Sequence, residues 1–425
     1  MKHYFSHFTC SLCGTTYEPE EVTYTCPKDG GNLDVILNYE ELRSTLNRDK
    51  FWEASTKGMK LPEASLWRYL NLLPVDEPGG LGTPLRRAGW TPVYKSTRLA
   101  DQLGLQNLWI KDESPNPTAS FKDRASAIVV ARAEQIGAEI IVAASTGNAG
   151  AALAGMAAAV GAKAVIFAPK TAPPAKIAQL LVFGAQVLLV DGNYDQAFDL
   201  SIEATQSFGW YNRNTGFNPF TAEGKKTAGF EIWEQVIRRM PENGKRLTVF
   251  ISVGDGNIIS GVHKGFKDLH ELGWLPNVPR IIGVQSTGSA AIANTFHQGD
   301  EDIQPVQADT LADSISVDLP RDGVRAVRAA RDTGGTYLTV PDEDILKAIA
   351  TLGKVGIFSE PAASTAYAGL VKAVDEKIIE LDDPVLVLNT GSGLKDVKAA
   401  MQAVTEAPII EPSLDAVKKV LASTR

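Results

Sequence analysis

From residue 107 onward, short apolar runs alternate with longer stretches in which apolar residues recur every three to four positions. Short continuous apolar runs are typical of buried parallel strands, and the longer spacing is typical of helices. The pattern predicts strands at 108–112, 140–144, 164–168, 187–190, 247–253, 281–285 and 385–388, and helices at 121–136, 149–160, 176–183 and 258–272. This alternation predicts an α/β protein whose parallel sheets are covered by helices on both faces.

The first 38 residues differ from the rest because they hold all three cysteines. Cys10-Ser-Leu-Cys13 has the spacing of half a zinc ribbon, and Cys26-Pro-Lys-Asp29 repeats it with aspartate in place of the second cysteine. Structural zinc sites use almost only Cys and His. We therefore expect a degenerate, metal-free ribbon at 1–38. The alternative is a zinc site in which the thiolates of Cys10, Cys13 and Cys26 are joined by Asp29, or by His3 or His7 in its place.

The remaining organisation follows from composition. Residues 39–92 are mixed and end in a Pro/Gly-rich stretch, which predicts an N-terminal layer and a connector. Residues 93–410 form the predicted main body. A C-terminal helix is predicted at 411–425, with Leu414, Val417 and Leu421 on one face that packs against the body.

Composition and charge narrow the function classes. Of 425 residues, 44% are hydrophobic and 22% are charged, as in soluble globular proteins. The net charge of −8 argues against a nucleic-acid partner. Three cysteines and the lack of an apolar signal segment predict a reducing compartment, the cytoplasm. Residues 140–162 carry no charge, but they are rich in Ala and Gly and include polar side chains, so we interpret them as buried and predict no membrane partner.

Four polar loops, most of them rich in glycine, follow predicted strands at 113–124, 144–150, 254–258 and 390–396. Ligands of open parallel sheets bind at the carboxyl ends of the strands, so these loops are expected to converge on one site. Within the first loop, Ser120 and Asp123 predict a capping box that places Lys122 in the first turn of a helix. A lysine there has a lowered pKa and suits Schiff-base chemistry, although a solvated surface lysine remains the alternative.

For each of the other three loops, a ligand-binding role and a purely structural role are both open. Ser145-Thr146-Gly147-Asn148 can bind an anion at the start of a helix, or it can be an ordinary N-cap. The glycine pair of residues 254–258 can form a phosphate-binding nest, but it matches neither the dinucleotide-binding nor the P-loop fingerprint. Thr390 ends a buried strand, where its hydroxyl can face a ring nitrogen or belong to a simple turn.

Taken together and in order, five segments resemble the fold-type II family of pyridoxal-phosphate (PLP) enzymes, and its threonine synthase branch most closely. The match covers about residues 81–396. The segments are Leu-Gly-Thr-Pro-Leu at 81–85, Asn-Pro-Thr-Ala-Ser-Phe-Lys-Asp-Arg at 116–124, Ser-Thr-Gly-Asn at 145–148, Gly-Asp-Gly-Asn at 254–257 and Thr-Gly-Ser-Gly-Leu-Lys-Asp at 390–396. The resemblance implies two three-layer αβα lobes, a small mobile subdomain at about 138–216 and a homodimer.

The resemblance also implies roles. Lys122 would carry the cofactor and then act as catalytic base and acid, Asn148 would bind the pyridine hydroxyl, and Thr390 would face the pyridine nitrogen. The cofactor phosphate would lie against Gly254, Asp255, Gly256, Asn257 and Ile258, and the substrate carboxylate against Ser145, Thr146 and Gly147. The implied reaction converts O-phospho-L-homoserine, a small amino-acid phosphate, and water into L-threonine and phosphate.

Some points stay open. Lys225, Lys226 and Arg124 are candidates for the substrate phosphate, each with a solvated charge as the alternative. Ala119 stands where the family usually has glycine; it would be strained at positive φ, but we expect the exchange to be harmless. The rival functions are another fold-type II enzyme such as a threonine dehydratase, a relative with an altered substrate, and an inactive scaffold, against which Lys122 argues.

Overall fold

The computed structural model describes residues 4–49, 64–241 and 244–423. His3 and residues 50–63 of the predicted N-terminal layer lie outside the described residues. No helix within these ranges combines the length and the apolarity needed to span a bilayer.

The strands, in chain order, are β1 (Phe5–Cys10), β2 (Thr16–Tyr17), β3 (Leu33–Leu37), β4 (Val93–Lys95), β5 (Asn107–Asp112), β6 (Ile140–Ala144), β7 (Lys163–Pro169), β8 (Gln186–Val190), β9 (Tyr211–Asn212), β10 (Thr248–Ser252), β11 (Arg280–Ser286), β12 (Thr336–Val340) and β13 (Pro384–Asn389).

The α-helices are α1 (Tyr39–Thr45), α2 (Thr97–Leu103), α3 (Lys122–Gln135), α4 (Asn148–Val160), α5 (Pro174–Val182), α6 (Tyr194–Phe208), α7 (Phe220–Gln235), α8 (Asn257–Glu271), α9 (Ala291–Gln298), α10 (Gly323–Arg331), α11 (Asp342–Gly353), α12 (Pro361–Asp375), α13 (Val397–Gln402) and α14 (Leu414–Ser423). Short 3₁₀ helices lie at Leu66–Leu72, Pro84–Arg87, Ile237–Arg239, Asp313–Ile315 and Gly393–Lys395.

The large lobe is built on a six-stranded sheet in the order β12-β11-β10-β13-β5-β4. Its strands are parallel except for the edge strand β4, which runs antiparallel to β5. The central strands β10 and β13 are buried along their whole length, which explains why both appear in the sequence as continuous apolar runs. Burying each large apolar side chain there stabilises the fold by about 1.5–3 kcal/mol.

The small lobe is a separate parallel sheet in the order β8-β7-β6-β9. It falls within the small subdomain predicted at 138–216; the mobility of that subdomain stays a prediction. The uncharged stretch 140–162 divides into strand β6 and helix α4, both largely buried, so it is part of the core of this lobe.

The strands and helices predicted for the main body are all confirmed, and the ends of each differ from the prediction by at most two residues.

The N-terminal segment forms a small antiparallel sheet in the order β2-β1-β3, which packs on the main body. Phe5 and Phe8 of β1 meet Phe220, the first residue of α7, edge to face. Arg325 of α10 forms an ion pair with Asp34 of β3 at 2.7 Å. These contacts fix the ribbon-like segment against helices of the large lobe.

The C-terminal helix exists, but its predicted packing is wrong. Leu414 and Leu421 of α14 are 78% and 63% exposed, and Val417 is 38% exposed. The apolar face of α14 is therefore left uncovered by the rest of the described chain.

Candidate active site

A cavity of about 530 Å³ lies between the two lobes, at the carboxyl ends of β5, β6, β10 and β13. Its lining includes every residue predicted for the catalytic, cofactor and substrate positions: Lys122, Ser145, Thr146, Gly147, Asn148, Gly254, Asp255, Gly256, Asn257, Ile258 and Thr390. The four loops therefore converge on one cavity, as predicted. The individual roles of these residues stay predictions.

Lys122 begins helix α3, and its loop is held by backbone hydrogen bonds to the loop after β13. Phe121 N donates to Thr390 O at 2.8 Å, and Ser392 N donates to Ala119 O at 3.1 Å. Among the described residues, Lys122 makes no hydrogen bond or ion pair. Burial, and secondly the positive charge of Arg213, lower the pKa of Lys122 to about 8, while Asp255 and Glu360 oppose the shift. The amine is therefore both exposed to the cavity and easily deprotonated.

The helix start at Lys122 is confirmed, but the predicted capping box is wrong. Ser120 Oγ is buried without a hydrogen-bond partner among the described residues. Asp123 instead accepts hydrogen bonds from the backbone N–H of Thr118, at 2.6 Å, and from its hydroxyl. Asp123 thus closes the loop before the helix rather than capping the helix itself.

Ala119 has φ +63°, so the expectation that it is harmless is wrong. The left-handed region costs an alanine about 1 kcal/mol relative to glycine, whose missing Cβ removes the clash.

We expect Ala119→Gly to raise the free energy of unfolding by about 1 kcal/mol while leaving kcat nearly unchanged. Urea unfolding of the two proteins measures the difference. A matched control is Ala131→Gly, inside helix α3, which should be destabilising instead. An equal decrease in the free energy of unfolding in both variants would contradict the strain at Ala119.

The loop after β6 forms the start of helix α4. Gly147 is the N-cap, and a Cβ built there would meet nothing within 4 Å, so its backbone faces open space. The first-turn N–H groups of a helix lack intrahelical partners and attract anions. This end of α4 can therefore bind a carboxylate, as predicted for residues 145–147.

Asn148 meets a carboxylate that the sequence did not indicate. Its Nδ2 donates to both carboxylate oxygens of Glu360, each at 2.9 Å. Glu360 also lines the cavity, and burial raises its pKa. It lies before helix α12 in a segment without a recognisable motif, so only the fold reveals it. Thr390 is predicted to face a ring nitrogen. The buried carboxyl group of Glu360 lines the same cavity and is a second candidate for that position.

The loop after β10 brings backbone close to the cavity at the start of α8. Gly256 has φ +93°, and a Cβ there would lie 2.6 Å from Asp322 O. A Cβ on Gly254 would lie 2.8 Å from Ile315 Cα. Only glycine fits both positions without displacing backbone. The turn therefore presents the first N–H groups of a fifteen-residue helix to the cavity.

Two side chains of this loop are already engaged. Asn257 Oδ1 accepts from Lys225 Nζ at 2.5 Å, and its Nδ2 donates to Asp322 at 2.6 Å. Asp255 accepts from the backbone N–H of Arg321 at 3.2 Å, and burial raises its pKa. Anion binding at this loop thus depends mainly on backbone N–H groups, with Lys225 beside them.

Of the three cations considered for the substrate phosphate, only Lys225 lines the cavity. Arg124 is fully buried between Glu113 and Glu231. Lys226 is fully buried between Glu223 and Asp268. The last two cations are therefore structural.

Arg213 is a cavity cation that sequence reasoning missed. It follows β9, is 1% exposed, and its Nη2 has no hydrogen-bond partner among the described residues. Its Nε donates to Ser126 Oγ at 3.1 Å and its Nη1 to Thr215 Oγ1 at 2.9 Å, which fixes the guanidinium. Burial lowers the pKa of Arg213 to about 10, so it stays charged at neutral pH. An unpaired buried donor of this kind is a ready anion site.

Comparison with known proteins identifies the class of this site. The model of the family "Pyridoxal-phosphate dependent enzyme" matches residues 85–391, and the chain belongs to this family. It is 36% identical to a threonine synthase of Methanocaldococcus jannaschii, over 97% of this chain and 98% of that one, and 35% identical to a threonine synthase of Methanosarcina acetivorans over 98% of both. Its fold is similar to that of threonine deaminase isoform 2 from Solanum lycopersicum, with a TM-score of 0.64, 23% identity and coverage of 82% and 95% of the two chains.

The residues of the cavity fit this cofactor. Lys122 offers an amine without a partner, the glycines at 254 and 256 leave room that a Cβ would fill, and the start of α8 offers N–H donors for a phosphate. PLP is therefore the cofactor of the protein, and the cavity has the donors that the cofactor needs.

We expect the rate at which cofactor-free protein takes up PLP to rise with pH through about 8. Only the neutral amine attacks an aldehyde, and the lowered pKa of Lys122 sets the pH at which this form dominates. Stopped-flow absorbance measures the rate. Arg213→Gln removes a cation near Lys122 and should move the midpoint upward. A wild-type midpoint near the ordinary lysine value of 10.5 would contradict the expectation.

Proposed function

We propose that the protein is a threonine synthase that converts O-phospho-L-homoserine and water into L-threonine and phosphate. The proposal rests mainly on one cavity that holds an unpaired lysine, two helix N-termini and a buried arginine whose Nη2 has no hydrogen-bond partner among the described residues. A cofactor phosphate, a substrate carboxylate and a substrate phosphate are three anions, and the cavity offers a separate group of donors for each. The similarity to two threonine synthases over nearly the whole chain supports the same function.

The cofactor would be held mainly by the large lobe. Residues 254–258 would bind its phosphate through backbone N–H groups, with Lys225 nearby, and Lys122 would hold its aldehyde carbon. Asn148 and Thr390 would bind the ring hydroxyl and the ring nitrogen. When bound, PLP withdraws electrons from the substrate carbons, which eases loss of the Cα and Cβ protons and of the phosphate at Cγ.

The substrate would be held by the small lobe through both of its anionic ends. Residues 145–147 would bind the carboxylate at the start of α4. Arg213 would bind the phosphate. It follows β9, which pairs with β6, and its backbone N–H donates to Val142 O of β6 at 2.8 Å. Arg213 is therefore anchored to the strand that leads into the carboxylate-binding residues. The two anion sites are thus fixed relative to each other by strand pairing. Closure of this lobe, as predicted for about 138–216, would bring substrate to Lys122.

Proton movement would fall to two groups. Lys122, with its lowered pKa, would accept and return protons at the substrate carbons. Glu360, whose pKa burial raises and whose two oxygens accept from Asn148 Nδ2, would be the second group able to exchange a proton, beside the cofactor ring hydroxyl.

We expect Arg213→Gln to raise KM for O-phospho-L-homoserine about 10- to 100-fold, the value of a buried charge-assisted hydrogen bond. The Kd for PLP should change much less, because the cofactor phosphate would lie against the start of α8 rather than against Arg213. Steady-state kinetics and cofactor titration measure the two effects. Arg331→Gln, outside the cavity, is the control. Loss of cofactor affinity with an unchanged KM would assign Arg213 to the cofactor instead.

The product assay separates the rival functions. We expect the holoenzyme to release phosphate from O-phospho-L-homoserine, whereas a dehydratase would form 2-oxobutanoate from L-threonine and an inactive scaffold would do neither. Full cofactor occupancy without phosphate release would overturn the proposal.

We also propose that the enzyme acts in the cytoplasm as a homodimer. The three free cysteines suit a reducing compartment, which supports the cytoplasm.

For the homodimer, the exposed apolar residues of α14 and of the segment before it, which include Ile409 and Leu414, offer a surface for a second copy. Sedimentation velocity should give twice the chain mass of 45.6 kDa, and a species of single-chain mass would contradict the dimer.

A further inference from the structure

The N-terminal segment brings four potential metal ligands together. One ligand atom from each of Cys10, Cys13, Cys26 and Asp29 lies within 4.8 Å of the other three. None of these residues lines the catalytic cavity. The three thiols are free, so no disulfide accounts for their proximity.

Two equivalent turns create this arrangement. In the first, Gly14 N donates to Cys10 O at 3.1 Å, and in the second, Gly30 N donates to Cys26 O at 2.9 Å. The two glycines have φ of +70° and +71°, in the left-handed region that favours glycine. Each turn aims its first and fourth side chains at the same point. Asp29 therefore has the position in the second turn that Cys13 has in the first.

The distances match a tetrahedral zinc cage. Zn–S bonds of about 2.3 Å and Zn–O bonds of about 2.0–2.2 Å place two ligand sulfurs about 3.8 Å apart, and a sulfur and an oxygen about 3.5 Å apart. Cys13 Sγ lies 3.8 Å from Cys26 Sγ. Cys10 Sγ lies 3.3 Å and 3.7 Å from the two carboxylate oxygens of Asp29. A disulfide would need about 2.05 Å, so these atoms are spaced for a shared ion.

Further hydrogen bonds orient the ligands. Leu12 N donates to Cys10 Sγ at 3.3 Å, and the Tyr17 hydroxyl lies 3.1 Å from Cys26 Sγ. Gly31 N donates to Asp29 Oδ1 at 2.8 Å, which leaves Oδ2 for a metal. Such outer contacts are usual around metal ligands and fix their direction.

We propose that Cys10, Cys13, Cys26 and Asp29 bind one Zn²⁺ in a closed, structural site. Four protein ligands leave no open position, so the ion would stabilise the segment rather than take part in catalysis. This inference reverses the expectation of a metal-free ribbon, which considered only how rarely aspartate is a structural zinc ligand. The fold supplies what the sequence lacked, namely the placement of the carboxylate at the fourth corner.

The proposed site would also brace the catalytic cavity. Tyr24, between the two turns, stacks on Phe217 with ring centroids 4.5 Å apart, and its hydroxyl accepts from Asn212 N at 2.9 Å. Asn32 Nδ2 donates to Gly216 O at 2.6 Å. The segment supported by these contacts carries Arg213. The ribbon therefore holds the wall of the cavity that contains this arginine.

The test is the zinc content of the full-length protein after expression with added zinc and gel filtration in EDTA. We expect about one zinc per chain in the wild type and less than a tenth of that in Cys26→Ser. Asp29→Cys should keep the ion, because it completes a Cys₄ site. Glu20→Gln, an exposed carboxylate in the same segment, is the matched control and should also keep it. Retained cofactor absorbance shows that each variant has folded.

Thiol titration gives an independent reading, because the chain has no other cysteines. We expect the three thiols of the wild type to react slowly with a disulfide reagent and to release one zinc as they do. Immediate reaction of all three, together with negligible zinc both as purified and after reloading, would overturn the proposal. Zinc that persists in Cys26→Ser would overturn this ligand set.

Discussion

Replacing Lys122 by alanine is expected to lower kcat by about 10³-fold or more, because the same amine would hold the cofactor and move the substrate protons. The variant should still bind PLP through the backbone donors of residues 254–258, which do not depend on Lys122. It should therefore lose the covalent link to the cofactor but not all affinity for it.

Borohydride reduction followed by mass spectrometry measures this effect. Wild-type protein should carry a reduced pyridoxyl group on Lys122, and the variant should carry none. Lys170→Ala, at an exposed lysine paired with Asp191, is the control and should behave as wild type. A wild-type protein that stays colourless after incubation with PLP, or a variant that keeps full activity, would contradict this role of Lys122.

The second large effect is expected in a buried charge network beneath the site. Arg124 forms ion pairs with Glu113 at 2.7 Å and with Glu231 at 2.5 Å, and Lys111 pairs with Glu231 at 2.6 Å. All four side chains are fully buried. Neutralising Glu231 leaves Lys111 without an ion-pair partner among the described residues and Arg124 with Glu113 alone, and such an uncompensated buried charge costs about 3–5 kcal/mol. We expect Glu231→Gln to lower the free energy of unfolding by about that amount.

Urea unfolding as a function of pH tests the network. Arg124, and then Lys111, hold the pKa of Glu231 down to about 2 against the effect of burial, below its ordinary value of 4.5. The stability due to ionised Glu231 is therefore fully present above pH 4.5 and is lost as the pH falls through about 2. The difference in the free energy of unfolding between wild type and Glu231→Gln should therefore become smaller in acid. Glu343→Gln, in an exposed pair with Lys347, should change little at any pH. A difference that is independent of pH would contradict the role of this charge.

The regular elements were predictable where one structural preference dominated. Strands β6 and β10 are short apolar runs because both faces are covered. Helix α7 was not predicted, because it is buried on nearly all sides and still carries charges such as Lys225 and Glu231. Its charges are paired with groups on other elements, so the polar side chains mark no solvent-facing side. Periodicity gives no signal for such a helix.

The site was predictable where residues lie directly after strands, since chain direction alone brings those loops together. Arg213 and Glu360 have no such marker. Arg213 follows a strand of only two residues, and Glu360 meets Asn148 across 212 positions of sequence. The strain at Ala119 was also hidden, because φ depends on how its loop is tied to the loop of Thr390.

The most direct test of the proposed function is the stoichiometry of the reaction of the holoenzyme with O-phospho-L-homoserine, followed by phosphorus and proton NMR in one sample. We expect L-threonine and inorganic phosphate to appear in equal amounts, no 2-oxobutanoate to form, and Lys122→Ala to give neither product. Phosphate accompanied by 2-oxobutanoate, or full conversion of L-threonine without use of the phosphorylated substrate, would contradict it.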